Sequence, residues 1–253
     1  MAGTDRYIEI DAARGVAILM MVLFHIVFDL SFFYGYPFNI ATGFWRYFAL
    51  STASLFLLIV GVSLVISHAR EEKRLAGDPR RHIGIAIKFL KRGMGIIACG
   101  LLVTFATWLY LGEGFVIFGI LHLIGVSTIL ALFFFRFQKV NLLIGVVLIG
   151  VGILLAGAGV TGPFWLLWLG IPPAPFTSVD YTPLLPWFGV VLVGMGVGEQ
   201  LYPGGKRSFA VPHLPAPIFS LLAFLGRHSL LIYLLHQPVI LILLHLIVGV
   251  PTL

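Results

Sequence analysis

The first long apolar run of this sequence carries Asp11, Arg14, His25 and Asp29. These are side chains of the types that hold anions and move protons. On a helix the four fall within one narrow stripe, because the spacings 11, 14, 25 and 29 nearly return to the same face. His25 lies about 16 Å beyond Arg14 along the axis. Asp29 lies one further turn on, where a carboxylate can orient an imidazole. Imidazole is a general base near neutral pH, and guanidinium suits phosphate oxygens. The stripe therefore joins an anion-holding cation to a base deep inside an apolar segment. Each residue also has a plainer reading: a snorkelling arginine, a helix–helix hydrogen bond, an interfacial carboxylate. Their alignment favours a common purpose.

Other candidates are scattered. His122 stands in FGILHLIG, and His236 in IYLLHQP beside Gln237 and Pro238. His25, His122 and His236 are expected at similar depth. They come from separate segments without the close ligand spacing of a metal centre, so a polar cavity is expected and a metal is not. His245 has no polar neighbours and reads as structural. Asp180, in VDYTPLLPWFG with Tyr181 and Trp187, offers a carboxylate and aromatic platform for a polar substrate such as a sugar, or else an aromatic belt with one solvated acid. Arg46 beside Trp45 is either an interfacial arginine or a contact for an outside substrate. Cys99 is the only cysteine and can form no internal disulfide.

The elements that hold these groups follow from composition. Of 253 residues, 60% are hydrophobic and only 10% charged, against about a quarter charged in soluble domains. Lipid must solvate most of this chain. The apolar runs are continuous, without the alternation of barrel strands, so the fold class is all-α, a polytopic transmembrane bundle. About seven spans are expected, at 13–34, 44–67, 86–110, 114–135, 141–159, 183–201 and 229–249. The first follows a polar stretch and is of full spanning length, so it reads as a span rather than a cleaved signal. A short amphipathic segment, 217–225, is expected at the interface before the last span. No repeat or soluble domain is evident, and residues 1–253 read as a single transmembrane domain.

Charge sets the orientation. Fifteen of the sixteen Lys and Arg residues fall on one side, in the segments before span one and between spans two and three, four and five, and six and seven, or in the first two turns of the span that follows. Only Arg46 falls on the other side. Positive loops stay in the cytoplasm, so the N-terminus is expected inside and the C-terminus outside. The same topology accounts for a pI near 9.7 and leaves no call for nucleic acid.

The opening RYIEIDAARGVAILMMVLFH, with SLFLLIVGVSL, FGILHLIG, DYTPLLPWFGVVLVGMGVG and LGRHSLLIYLLHQP in that order, resembles the heparan-α-glucosaminide N-acetyltransferase catalytic-domain family, in its prokaryotic members. The resemblance covers most of the chain. Arg14 and His25, with ten residues between them, are also similar to the Arg-x10-His signature of membrane acyltransferases that modify surface polysaccharides. The chain departs from the lysosomal enzyme in having His25 where that protein has Asn, and in having no histidine in its first outer loop.

The resemblance implies acyl transfer from cytoplasmic acetyl-CoA to an acceptor outside. On that reading the CoA phosphates meet Arg14, with Arg92 and Arg227 as further candidates. His25, oriented by Asp29, deprotonates an amine or hydroxyl of a sugar or glycan. His122 or His236 stabilises the oxyanion or protonates the thiolate. Transfer is direct or passes through an acyl-histidine. Arg46, Asp180, Trp187 and His236 are the candidates for acceptor binding. The alternatives are a proton-coupled transporter of a small polar or anionic solute and a non-catalytic membrane subunit. The expected setting is the plasma membrane, and a homodimer is expected on general prevalence.

Overall fold

A computed structural model describes residues 6–211 and 216–250. Its helices are α1 (Ile8–Phe32), α2 (Gly43–Arg74), α3 (Arg81–Leu111), α4 (Ile120–Phe134), α5 (Asn141–Gly157), α6 (Leu184–Leu201), α7 (Ala216–Arg227) and α8 (Ser229–Val248). No strand occurs among the described residues. Beyond their first turns the helices contain proline only at Pro238 in α8, so the helical ladder satisfies the backbone where lipid cannot. Glycine stops α3: Gly112 takes φ 71°, a left-handed turn that costs other residues energy, and returns its N–H to Trp108 O.

Contacts gather the chain into two compact units, Met1–Phe56 with Ala210–Leu253, and Leu57–Phe209, the boundary falling within α2. In the first, α7 runs antiparallel along the N-terminal half of α1. A Cβ at Gly15 would overlap the Leu222 carbonyl, and one at Gly226 the Asp11 carbonyl. Such backbone proximity is how helices associate where burial from water gives no drive. The chain reverses at His228, and α8 follows α1 in the parallel sense, with His236 beside His25 and Gln237 beside Asp29. The segment expected to lie at an interface is thus α7, packed lengthwise on α1, with Ala223 buried and Ile218, Leu221 and Phe224 exposed.

In the second unit, glycines again set the contacts. α3 and α4 cross antiparallel, Gly93 against Gly125 and Gly100 against the His122 ring. α5 and α6 are antiparallel, Gly145 against Gly189 and Gly196 against Leu142. Leu58 meets Gly194 and Val62 meets Gly198, so α2 and α6 run the same way. Near the α2–α3 turn, Glu71, 3% exposed, accepts from Lys88 Nζ at 2.8 Å and from Arg74.

Six stretches among the described residues are long and apolar enough to cross a bilayer, and one of them, Ile120–Gly157, is 38 residues long. That stretch is two helices. α3 is antiparallel to α2 and α4 to α3, so α4 runs with α2 and α6, whereas α5 opposes α6. The reversal lies at Phe135–Val140, where Gln138 takes φ 45°, and Asn141 Nδ2 closes it on Phe134 O at 2.9 Å. The seven expected spans thus each have a helix. The fourth begins six residues later than expected, at Ile120 rather than 114. Residues 114–119 are drawn out of the helix by bonds to the segment before α6: Val179 N–H to Gly114 O at 2.8 Å, and Thr182 N–H to Phe118 O at 2.9 Å.

Candidate functional site

The stripe of α1 forms as expected. Arg14 Nη1 donates to Asp11 Oδ1 at 3.1 Å and to Gly226 O, at the end of α7, at 3.5 Å. The guanidinium is therefore placed by both helices. The tight crossing at Gly15 and Gly226 is what brings the α7 carbonyl within its reach. Arg227 follows directly, exposed, its Nε on Ala223 O at 3.3 Å. Arg46, in the first turn of α2, is exposed.

His25 Nδ1 bonds Met21 O at 2.9 Å. A carbonyl oxygen only accepts, so Nδ1 carries the proton and the neutral ring keeps its lone pair on Nε2. The expected partner was Asp29; the orienting group is instead the carbonyl one turn back. His236 follows the same rule, its Nδ1 donating to Tyr233 O at 2.6 Å. The two rings meet edge to face, centroids 4.7 Å apart at 75°. His236 Nε2 is buried with no hydrogen-bond partner. Two imidazoles with the same tautomer, each locked by its own helix, thus sit in contact.

Asp29 is 0% exposed. Its Oδ1 accepts from Gln237 Nε2 at 2.9 Å, while Asp29 Oδ2 and Gln237 Oε1 are buried without partners. Gln237 is the residue that sequence reasoning passed over. The signal available was its place next to His236 and before Pro238, an amide within an otherwise apolar helix.

His122 belongs to the other unit and has the opposite tautomer. Gly119 N–H donates to its Nδ1 at 3.3 Å, so in the neutral ring Nε2 carries the hydrogen; this buried Nε2 has no partner. Asp180, expected as a carboxylate open to an outside substrate, caps α4: Oδ2 accepts from Ile120 N–H at 3.1 Å and Oδ1 from Thr182 Oγ1 at 2.6 Å. Burial pushes the Asp180 carboxyl above its usual range, against the opposing pull of Thr182, Ile120 and His122. Burial likewise raises Tyr181, whose hydroxyl donates to Leu167 O at 2.7 Å, to about 12. Trp187 is half-buried near the start of α6, and Arg92 is exposed on α3. No group of three or more His, Cys, Asp or Glu side chains gathers as a metal centre would among the described residues.

Compared with known proteins, residues 6–238 match the family model described as "Heparan-alpha-glucosaminide N-acetyltransferase, catalytic". No curated protein and no solved structure matches the chain. The match covers nearly the whole sequence and, with the long apolar helices, makes the chain an integral membrane protein of a transferase family.

Proposed function

Since the chain belongs to the heparan-α-glucosaminide N-acetyltransferase catalytic family, we propose that it moves an acetyl group from cytoplasmic acetyl-CoA to the amine of a sugar or glycan outside, with His25 as general base. The observation that carries this reading is the His25–His236 contact. Each ring spends its Nδ1 hydrogen on a helix carbonyl and keeps a basic Nε2. A primary amine has two hydrogens to give to two such nitrogens, and a hydroxyl has one. That favours N- over O-transfer.

In the proposed reaction the neutral amine attacks the thioester carbonyl, forming the C–N bond. His25 Nε2 takes the proton. The C–S bond breaks, and His25 gives this proton to the departing thiolate, which leaves as free CoA. His236, in contact with His25, shares in holding the amine and the proton. Arg14 and Arg227, near the meeting of α1 and α7, suit the CoA phosphates. The charge bias of the loops supports an N-terminus in the cytoplasm, which puts Arg14 on the side where acetyl-CoA is made.

The test is transfer from radiolabelled acetyl-CoA by purified protein in liposomes, offered amino sugars and their hydroxyl analogues in parallel. Labelled amide product from the amino sugars alone is the expected result. Labelled ester alone would overturn the choice of amine, and no transfer to either would overturn the reading. The buried Asp29 and paired histidines would also serve a proton-coupled transporter. Uptake of a labelled solute into the same liposomes without acetyl-CoA would favour that reading.

A further inference from the structure

Asp29 poses a problem that the catalytic reading leaves unsolved. It is 0% exposed in an apolar helix, and an ionised carboxylate there is costly unless paired. Its hydrogen-bond partner is a neutral amide, Gln237, which satisfies Oδ1 alone. Asp29 Oδ2 remains an orphan. So does Gln237 Oε1, on the other end of the same amide. Two buried acceptors without donors therefore sit on two side chains that already share a bond.

One proton resolves both. We propose that Asp29 is a neutral carboxylic acid, and that its Oδ2–H donates to Gln237 Oε1 while Gln237 Nε2–H donates to Oδ1. An acid and a primary amide are both planar and side by side form two parallel hydrogen bonds in a closed ring. The ring has no net charge, leaves neither orphan, and suits an apolar span.

The clasp makes Asp29 and Gln237 positioning residues. It rests on the acetyltransferase reading only for what it positions. Gln237 adjoins His236, and Asp29 lies one turn above His25. Fixing 29 to 237 therefore sets the register of α8 on α1 and holds the two rings in contact at 4.7 Å. α8 needs such a pin here, since Pro238 has no N–H for the Leu234 carbonyl and loosens the helix at this point.

The clasp separates from a catalytic carboxylate by substitution. Asn at position 29 can rebuild both bonds, its Nδ2–H replacing the acid O–H. Asp29→Asn should therefore keep transfer within about threefold of the wild type, whereas Asp29→Ala and Gln237→Leu should each lower kcat by about tenfold or more, with KM for acetyl-CoA unmoved. The infrared spectrum reads the proton directly. The wild-type-minus-Asp29→Asn difference should contain a protonated carboxyl stretch and no carboxylate band. A carboxylate band in that difference, or loss of transfer in folded Asp29→Asn as complete as in His25→Ala, would overturn the clasp. If the wild type transfers no acetyl group, the acetyltransferase reading fails by itself, and the infrared difference still decides the clasp.

Discussion

His25 and His236, 211 positions apart in the chain, meet edge to face at 4.7 Å between ring centroids. Each is fixed by a bond from Nδ1 to a carbonyl of its own helix, at 2.9 and 2.6 Å. The pair is built from local geometry on two helices and joined by their register. Helix α7 supplies part of that register, because it occupies the N-terminal half of α1 and delivers the chain into α8 at His228.

Replacing His25 with Phe should keep the ring packing and remove the base. Transfer should fall by about 10²-fold or more, the usual contribution of a positioned general base. Acetyl-CoA binding, measured by calorimetry in detergent, should be unchanged.

His236→Phe should also lower kcat, by a smaller factor of about tenfold, because His25 keeps its own bond to Met21. A double variant, His25→Phe with His236→Phe, should be no worse than His25→Phe alone. Steady-state kinetics on the three variants check this. Losses that multiply would mean that the two rings act independently.

Arg14→Ala should weaken acetyl-CoA binding by about ten- to a hundredfold, the scale of lost hydrogen bonds to a charged group. Arg14 also ties α1 to α7 through Gly226 O, so melting must be measured beside affinity. A variant that melts earlier yet binds acetyl-CoA normally would leave Arg14 a structural tie.

Gly226→Ala should be destabilising by about 1–3 kcal/mol, as overpacking generally is, because its Cβ would overlap the Asp11 carbonyl. Gly150→Ala should cost little, since nothing lies within 4 Å of its Cβ. Thermal unfolding of the two variants in one detergent gives the comparison.

Asp180 gives the pH dependence. Its folded carboxyl lies above the ordinary 3.8, so the folded state holds its proton more tightly than the unfolded chain. Its contribution is thus greatest below 3.8 and is lost as pH rises through the raised folded value. Asp180→Asn should remove that part of the slope. Melting temperature against pH, from mildly acidic to neutral, should fall more steeply in the wild type than in the variant. Parallel curves would show that Asp180 titrates as an ordinary carboxylate.

Much of this architecture was legible in the sequence because lipid constrains it so strongly. Each expected span has its helix, and the stripe of Asp11, Arg14, His25 and Asp29 follows from helical periodicity alone. Three features needed the fold. Residues 114–119 are apolar enough to read as helix, yet pairing with the 178–182 segment draws them out of it. Asp180 looked like a surface acid because its donors, Ile120 N–H and Thr182, became visible only once that segment closed on α4. Proximity in sequence suggested Asp29 as the partner of His25. The bond went to Met21 O instead, and Asp29 turned to Gln237, 208 residues away. Side-chain periodicity places residues on a face, but it cannot say which distant helix meets that face.

In the proposed reaction His25 takes the proton from an amine during acetyl transfer. The decisive measurement is single-turnover transfer from acetyl-CoA to an amino sugar, by wild type and His25→Ala in liposomes. The wild type should form product rapidly. The variant should bind acetyl-CoA as before and form product at least about a hundredfold more slowly. Equal rates from the two proteins would contradict it and remove His25 from the chemistry.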